Sequence, residues 1–438
     1  MAESTYDPAA EVVEICSDLI GIDTSNFGDS SGPGERKAAE HVAALLDEVG
    51  IEMEILESEQ GRTSLIGRWG GDRGDPVLLH GHLDVVPANA ADWAVHPFSG
   101  EVRDTDGGPC VWGRGAVDMK DFDAMLLSGI RARARAGAVP SRPLVLCFTA
   151  DEEAGGALGA GFLAREHRDL LEGCTVAIGE VGGFSTTVRG RRIYLIQAAE
   201  KGMAWLRLTA KGTAGHGSMR QPDNAVTRLA AAVARIGAHQ WPVRLTPSME
   251  VLLAAVAELA GTEATPSNAE ALVEEFGPAA RMIGAVIKNS TNPTMLEAGY
   301  KVNVVPGEAS ARIDGRFLPG YEDEFWDTLA ELAGPEVEVR ADVHMRAVET
   351  DYEGPVVAAM TEALLAEDPD ALVAPYLMSG GTDGKYWSDL GMATFGFAPL
   401  RLPEDLDFTA LFHGVDERVP VDSLEFGARV FDRFVGSL

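Results

Sequence analysis

Two histidines and a string of carboxylates stand at spacings that could hold metal ions and move protons. The first group is His80-Gly81-His82-Leu83-Asp84. On a strand, residues two apart share a face, so His82 and Asp84 are expected side by side. A metal-binding imidazole commonly gives its other N–H to a carboxylate, which fixes its tautomer, and Asp84 suits that role. A buried histidine bonded to a turn carboxylate would carry the same sequence. The second group, Gly113-Arg114-Gly115-Ala116-Val117-Asp118, sets glycines ahead of an acid, where a sharp turn can aim a carboxylate. An aspartate there also serves as an ordinary helix cap. The third, Asp151-Glu152-Glu153, follows an apolar run. Consecutive acids repel unless a cation or protons compensate. Neighbouring residues point different ways, so one glutamate could bind metal while the other acts as base. Glu180 in IGEVGG and His413 in FHGVDE complete the set.

Each group alone has an ordinary explanation, an exposed acidic loop among them. Jointly they suit a pair of zinc ions, which accept imidazole and carboxylate, and the ligand kind used in two-metal hydrolysis. Other chemistries find no motif. H-E-x-x-H is absent, SGGTDGK lacks the first glycine of a P-loop, and GGALGAG does not fit G-x-G-x-x-G. No G-x-S-x-G elbow is present.

The elements that must carry these groups are legible in outline. The run at 76–86, containing VLLHGHLDVV, is apolar almost throughout, as are 143–149 and 175–179. Such runs are typical of strands buried on both faces of a parallel sheet. Helical spacing over 9–22, 31–50 and 121–137 alternates with them, which predicts an α/β fold. After about Gly190 the pattern turns to apolar–polar alternation, expected of strands with one wet face. Helices and strands resembling the start resume after Ala347. The expected architecture is therefore a mostly parallel sheet flanked by helices (1–190 and 348–438), interrupted by an inserted α+β domain (191–347), with hinges near Gly190 and Ala347.

Composition narrows the partners. The chain has 438 residues, 46% of them hydrophobic, and a formal charge of −32. So acidic a surface repels nucleic acid and anionic lipid. No stretch reaches the ~18 consecutive apolar residues a membrane helix needs. The N-terminus lacks a basic-then-apolar signal pattern, so a cytoplasmic protein is expected. The four cysteines (Cys16, Cys110, Cys147 and Cys174) form no CxxC pair, which argues against a disulfide scaffold or a thiolate zinc site.

The ordered set HGHLDVVP, GRGAVDMK, ADEEAGG, IGEVGG, AGHGS, VNVVPGEASARIDGR, SGGTDG and FHGVDE resembles the M20 metallopeptidases. That group spans aminoacylases, acetylornithine deacetylases, succinyl-diaminopimelate desuccinylases and carboxypeptidases G2 and S. The resemblance runs from about Glu11 to Phe434. It implies an α/β catalytic domain holding two zinc ions, with cobalt or manganese as alternatives, and an inserted lid that mediates a homodimer. By motif, His82 and Glu180 would bind one metal, Glu153 and His413 the other, and Asp118 would bridge them, often followed by a cis peptide. Asp84 would orient His82, and Glu152 would be the general base. His216 would stabilise the oxyanion, commonly in the partner subunit's site. Asn303 and Arg316 on the lid, with Gly381 and Thr382, would hold the substrate, Arg316 pairing with a carboxylate.

The implied activity is cleavage of the amide bond of N-acyl amino acids or short peptides. The alternatives are a biosynthetic desuccinylase or deacetylase, or a non-catalytic binding protein on the same scaffold. Two departures stand out. Asp121-Phe122 replaces the glycine pair common after DMK, and Lys385 stands where many members have arginine. Trp93 with Pro97-Phe98 resembles the aminoacylase and carboxypeptidase S branch.

Overall fold

Every residue of the strand Val77–His82 is buried, as its unbroken apolar run requires of a strand covered on both faces. In the computed structural model, which describes residues 6–29 and 31–438, this strand lies near the middle of a ten-stranded sheet. It pairs in parallel with Pro143–Thr149 on one side and Val176–Gly179 on the other. Ala393–Gly396 continues the parallel run beside Val176–Gly179. Antiparallel strands close the sheet, Arg62–Gly70 against Pro143–Thr149 and Phe184–Val188 against Arg191–Glu200. The helices Val12–Gly21, Lys120–Ala136 and Val421–Ser437 pack together in the core of this layer. Lys120–Ala136 ends on Gly137 at φ 67°, a left-handed cap that glycine takes without steric cost.

A second sheet is four-stranded and antiparallel, in the order Ser290–Ala298, Glu308–Phe317, Gly202–Lys211, Val337–Met345. Gly202–Lys211 and Glu308–Phe317 alternate along their length, while the edge strand Ser290–Ala298 is exposed over most of its own. Ala204, Leu206 and Leu208 are buried beneath the helices Ala225–Ala238 and Glu322–Ala333, while Trp205 is half exposed on the other face.

The boundary between the two sheets differs from the expected one. Arg191–Glu200 pairs with Leu372–Met378 in the large sheet, so the inserted unit begins at Gly202 rather than at 191. The reason is physical: Ile193–Glu200 is buried throughout, the pattern of a central strand, and true alternation starts only after Glu200. Gly190 is a hairpin residue within the large sheet. The chain re-enters that sheet at Val348–Glu349. The helix Pro247–Ala260, inside the span assigned to the insert, packs into the large core through Met249, Leu252, Leu253 and Val256. Among the described residues no helix is long and apolar enough to cross a membrane.

Candidate metal centre

Three neighbouring parallel strands end on the same edge of the large sheet, where α/β sheets present their chemistry. His82 closes Val77–His82, Glu152 and Glu153 follow Pro143–Thr149, and Glu180 follows Val176–Gly179. Asp118 arrives from the loop before the helix Lys120–Ala136 and precedes a cis peptide to Met119. His413 arrives from a loop near the C-terminus with φ 58°, a conformation that costs a non-glycine residue of order 1 kcal/mol.

These side chains converge. His82 Nε2 lies 3.2 Å from Asp118 Oδ1, 3.4 Å from Glu180 Oε2 and 3.8 Å from Glu152 Oε2. His413 Nε2 lies 3.2 Å from Asp118 Oδ2 and 3.1 Å from Glu153 Oε2. One oxygen of Asp118 thus faces each imidazole. Two sets of donors, His82-Glu152-Glu180 and His82-Asp118-Glu153, lie close enough to hold an ion.

Asp84 meets His82 chiefly through its backbone. The strand ends at His82, so alternation no longer governs Asp84. His82 Nδ1 meets the main-chain carbonyl of Asp84 at 2.9 Å, while the nearer carboxylate oxygen is 3.7 Å away. The Asp84 carboxylate instead accepts from the backbone N–H of Glu152 at 3.1 Å and of Glu153 at 3.2 Å. It also accepts from Asn26 Nδ2 at 2.9 Å. Asn26 is in turn held by Arg62, which is paired with the buried Glu35. Asp84 therefore fixes the backbone of both glutamates as well as one imidazole.

The electrostatics fit a divalent cation pair. Burial, then the neighbouring charge of Glu180, pushes Glu152 well above the usual carboxylate range. Burial likewise pushes Glu180 up to about 7. Burial would raise Asp118 too, but hydrogen bonds from His413 and His82 outweigh it and hold that carboxyl low. Hydrogen bonds to Asp118 and Glu153 push His413 up to about 10. Without a cation, protons must do its work, and metal binding releases them. The mixed imidazole–carboxylate donor set matches what zinc accepts.

The sign of the pH dependence follows. Glu180, raised from 4.5 to about 7, keeps a proton in the folded chain that the unfolded chain has lost. Its contribution to stability is therefore lost as pH rises through that window. His413, raised from 6.5 to about 10, contributes stability below pH 6.5 that is lost as pH climbs towards 10. Chelated protein should melt at progressively lower temperature from about pH 5 to about pH 9, with added zinc restoring most at the upper end. Melting curves with and without chelator check this; a zinc-dependent gap that does not widen with pH contradicts it.

A cavity of about 950 Å³ opens beside the cluster. Its lining includes Asp118, Glu152, Glu153, Glu180 and His413 together with Arg316, Gly381, Thr382 and Lys385. Arg316 is held by Asp314, with Nε 2.7 Å from Oδ1 and Nη2 3.1 Å from Oδ2. Thr382 Oγ1 donates to Glu200 at 2.6 Å. Lys385 Nζ donates to the carbonyl of Lys201 at 2.8 Å, docking the loop that carries Gly381 and Thr382 on the crossing between the two sheets. Asp121 and Phe122 are buried, with Phe122 packed edge-on to Phe431, and neither lines the cavity. His216 and Asn303 do not line it either. His216 lies on Gly215–His216, which pairs with Val304–Val305, and Asn303 accepts from Gly217 N at 2.9 Å.

One wall of the cavity escaped the motif reading. Met203 stands opposite Arg316 on one neighbouring strand and opposite Met345 on the other. Trp205, two residues on, continues that face, and Met282, Met378 and Phe412 line the cavity with them. Single methionines carry no pattern; only the register brings them together.

A model of peptidase family M20/M25/M40 matches residues 78–437. The chain belongs to that family. It is a metal-dependent hydrolase of the amide-bond-cleaving kind. A probable carboxypeptidase S-like 2 of Dictyostelium discoideum is 29% identical over 391 residues, covering 82% of this chain and 71% of that protein. The N-fatty-acyl-amino acid synthase/hydrolase PM20D1 of Bos taurus is 26% identical over 384 residues, covering 82% and 73%. The fold matches the M20 family metallo-carboxypeptidase Sso-CP2 from Sulfolobus solfataricus with a TM-score of 0.70, at 18% identity, over 97% of this chain and 98% of that one.

Proposed function

We propose that this family member is a two-zinc enzyme that hydrolyses the amide bond of N-acyl amino acids or short peptides. The observation that carries the reading is the Asp118 carboxylate, with one oxygen towards His82 and the other towards His413. His82 and Glu180 would hold one ion, Glu153 and His413 the other, with Asp118 between them. When bound, such ions polarise a scissile carbonyl and acidify the attacking water. Glu152 would take a proton from the attacking water and return it to the leaving nitrogen. Its backbone N–H is pinned by Asp84, which fixes the point from which the side chain enters the cavity. Arg316 exchanges Asp314 for the carboxylate of the substrate, with Thr382 and Gly381 beside it.

The apolar wall supports an acyl group larger than acetyl. Methionine is unbranched and polarizable, which suits irregular aliphatic chains. For one amino acid carrying acyl chains of increasing length, kcat/KM should rise about fourfold per methylene, from ~0.8 kcal/mol for each CH₂ buried. A flat length series would remove the acyl assignment from this wall.

The inserted sheet closes over the cleft as a lid in this reading, pivoting at Glu200–Gly202 and at 345–348. His216 then serves a second copy of the chain. The exposed residues Met295, Leu296, Tyr300 and Val302, along or just beyond the edge strand Ser290–Ala298, give that copy an apolar surface. Light scattering should report a dimer. A monomer retaining full activity would end the role of His216 across an interface.

A further inference from the structure

The two proposed metal positions are built from different materials. His82 ends a parallel strand paired on both sides, Glu180 is the first residue beyond its neighbour Val176–Gly179, and both are almost fully buried. His413 sits in a loop at φ 58°, with its side chain 53% exposed. What fixes that loop is a buried ion pair. Arg114 and Glu417 are 4% and 0% exposed, and Arg114 Nη1 lies 2.5 Å from Glu417 Oε2. Arg114 Nη2 donates to the main-chain carbonyl of His413 at 3.3 Å. Glu417 Oε1 accepts from the backbone N–H of Val117, the residue before Asp118, at 2.8 Å. The Glu417 carbonyl accepts from Gly113 N at 3.0 Å. The Arg114 guanidinium also lies 5.2 Å from the centre of the Trp93 ring. One pair thus ties the loop bearing Asp118 to the loop bearing His413, although the two residues are 303 positions apart.

We propose that the Arg114–Glu417 pair is the positioning element of the second metal position, so that an ion held by Glu153 and His413 depends on it. An ion held by His82 and Glu180 meets the pair only through the shared Asp118, beside Val117, and so depends on it less. The inference rests on the two-metal reading. It predicts stepwise loading, the sheet-built position filling first and the loop-built position second.

The test uses the full chain stripped of metal and titrated with zinc by calorimetry, with bound zinc counted by elemental analysis. Wild type should take up two ions in two steps of unequal affinity. Glu417→Gln and Arg114→Met should keep the tight step and weaken the other by about 10- to 100-fold, the loss typical when an outer partner of a metal ligand is removed. Arg114→Lys should restore part of it. In cobalt-loaded protein, the variants should lose the absorption of the second ion and keep that of the first. Unchanged second-step affinity, or equal weakening of both steps in a folded variant, overturns the proposal. Should the pair prove necessary for folding, His413→Ala and His82→Ala decide instead. His413→Ala must remove the weaker step alone and His82→Ala the tighter one, and the reverse order overturns the proposal. Wild type that binds fewer than two ions would sink the two-metal reading itself, a result distinct from two ions held equally well in every variant.

Discussion

Replacing Glu152 with glutamine should lower kcat by roughly 10²–10⁴-fold, the usual cost of losing a general base. Zinc content and KM should stay near wild type. The amide keeps the shape of the carboxylate but cannot take a proton from water. The backbone N–H of Glu152 is anchored to Asp84 Oδ1 at 3.1 Å, so the substitution leaves the turn in place. Its neighbour Glu153 is anchored to the other oxygen at 3.2 Å, which keeps that ligand where it was. The outcome separates two roles that distance alone does not. Glu152 Oε2 is 3.8 Å from His82 Nε2 and groups with Glu180 as a donor. If Glu152→Gln sheds metal in proportion to its loss of rate, Glu152 is a ligand and the base lies elsewhere.

Asp118→Asn should act through the metal instead. Asp118 presents Oδ1 to His82 and Oδ2 to His413, each at 3.2 Å, and in the proposed arrangement it is the carboxylate shared by both positions. The hydrogen bonds of the two imidazoles hold it deprotonated despite burial. An asparagine offers one oxygen, no charge, and an amide group aimed at a nitrogen. Removing an outer partner of a metal ligand costs about 10- to 100-fold in affinity or activity, so losing a shared ligand should exceed ~10²-fold in both. Elemental analysis should find fewer than two zinc ions per chain, with activity falling in step. A variant that keeps both ions and most of its rate would show that Asp118 does not bridge.

Much of this candidate centre was legible because the residues proposed as its ligands are local. His82, Glu152, Glu153 and Glu180 each follow an apolar run, and parallel runs bring their carboxyl ends together. Asp118 and His413 lie in glycine-containing segments that could be singled out, though the distances between them had to come from the fold. What escaped the sequence depends on long range. The burial of Ile193–Glu200 on both faces decides to which sheet that strand belongs, and an apolar stretch beside an alternating one hid the change. The part played by Asp84 turned on the strand ending at His82, a matter of one residue. Glu417 stood in the FHGVDE motif without a role, because its partner Arg114 is 303 residues away. The apolar wall needed the register that sets Met203 between Arg316 and Met345.

The most direct test is to strip the full-length protein of metal, assay release of the free amino acid from a panel of N-acyl amino acids and dipeptides, and then restore zinc. Hydrolysis should be absent in the chelated protein, return on adding zinc and reach its maximum near two ions per chain. No release from any substrate by folded, zinc-loaded protein, or release that persists unchanged in the chelated protein, would contradict the proposed two-zinc amide hydrolysis.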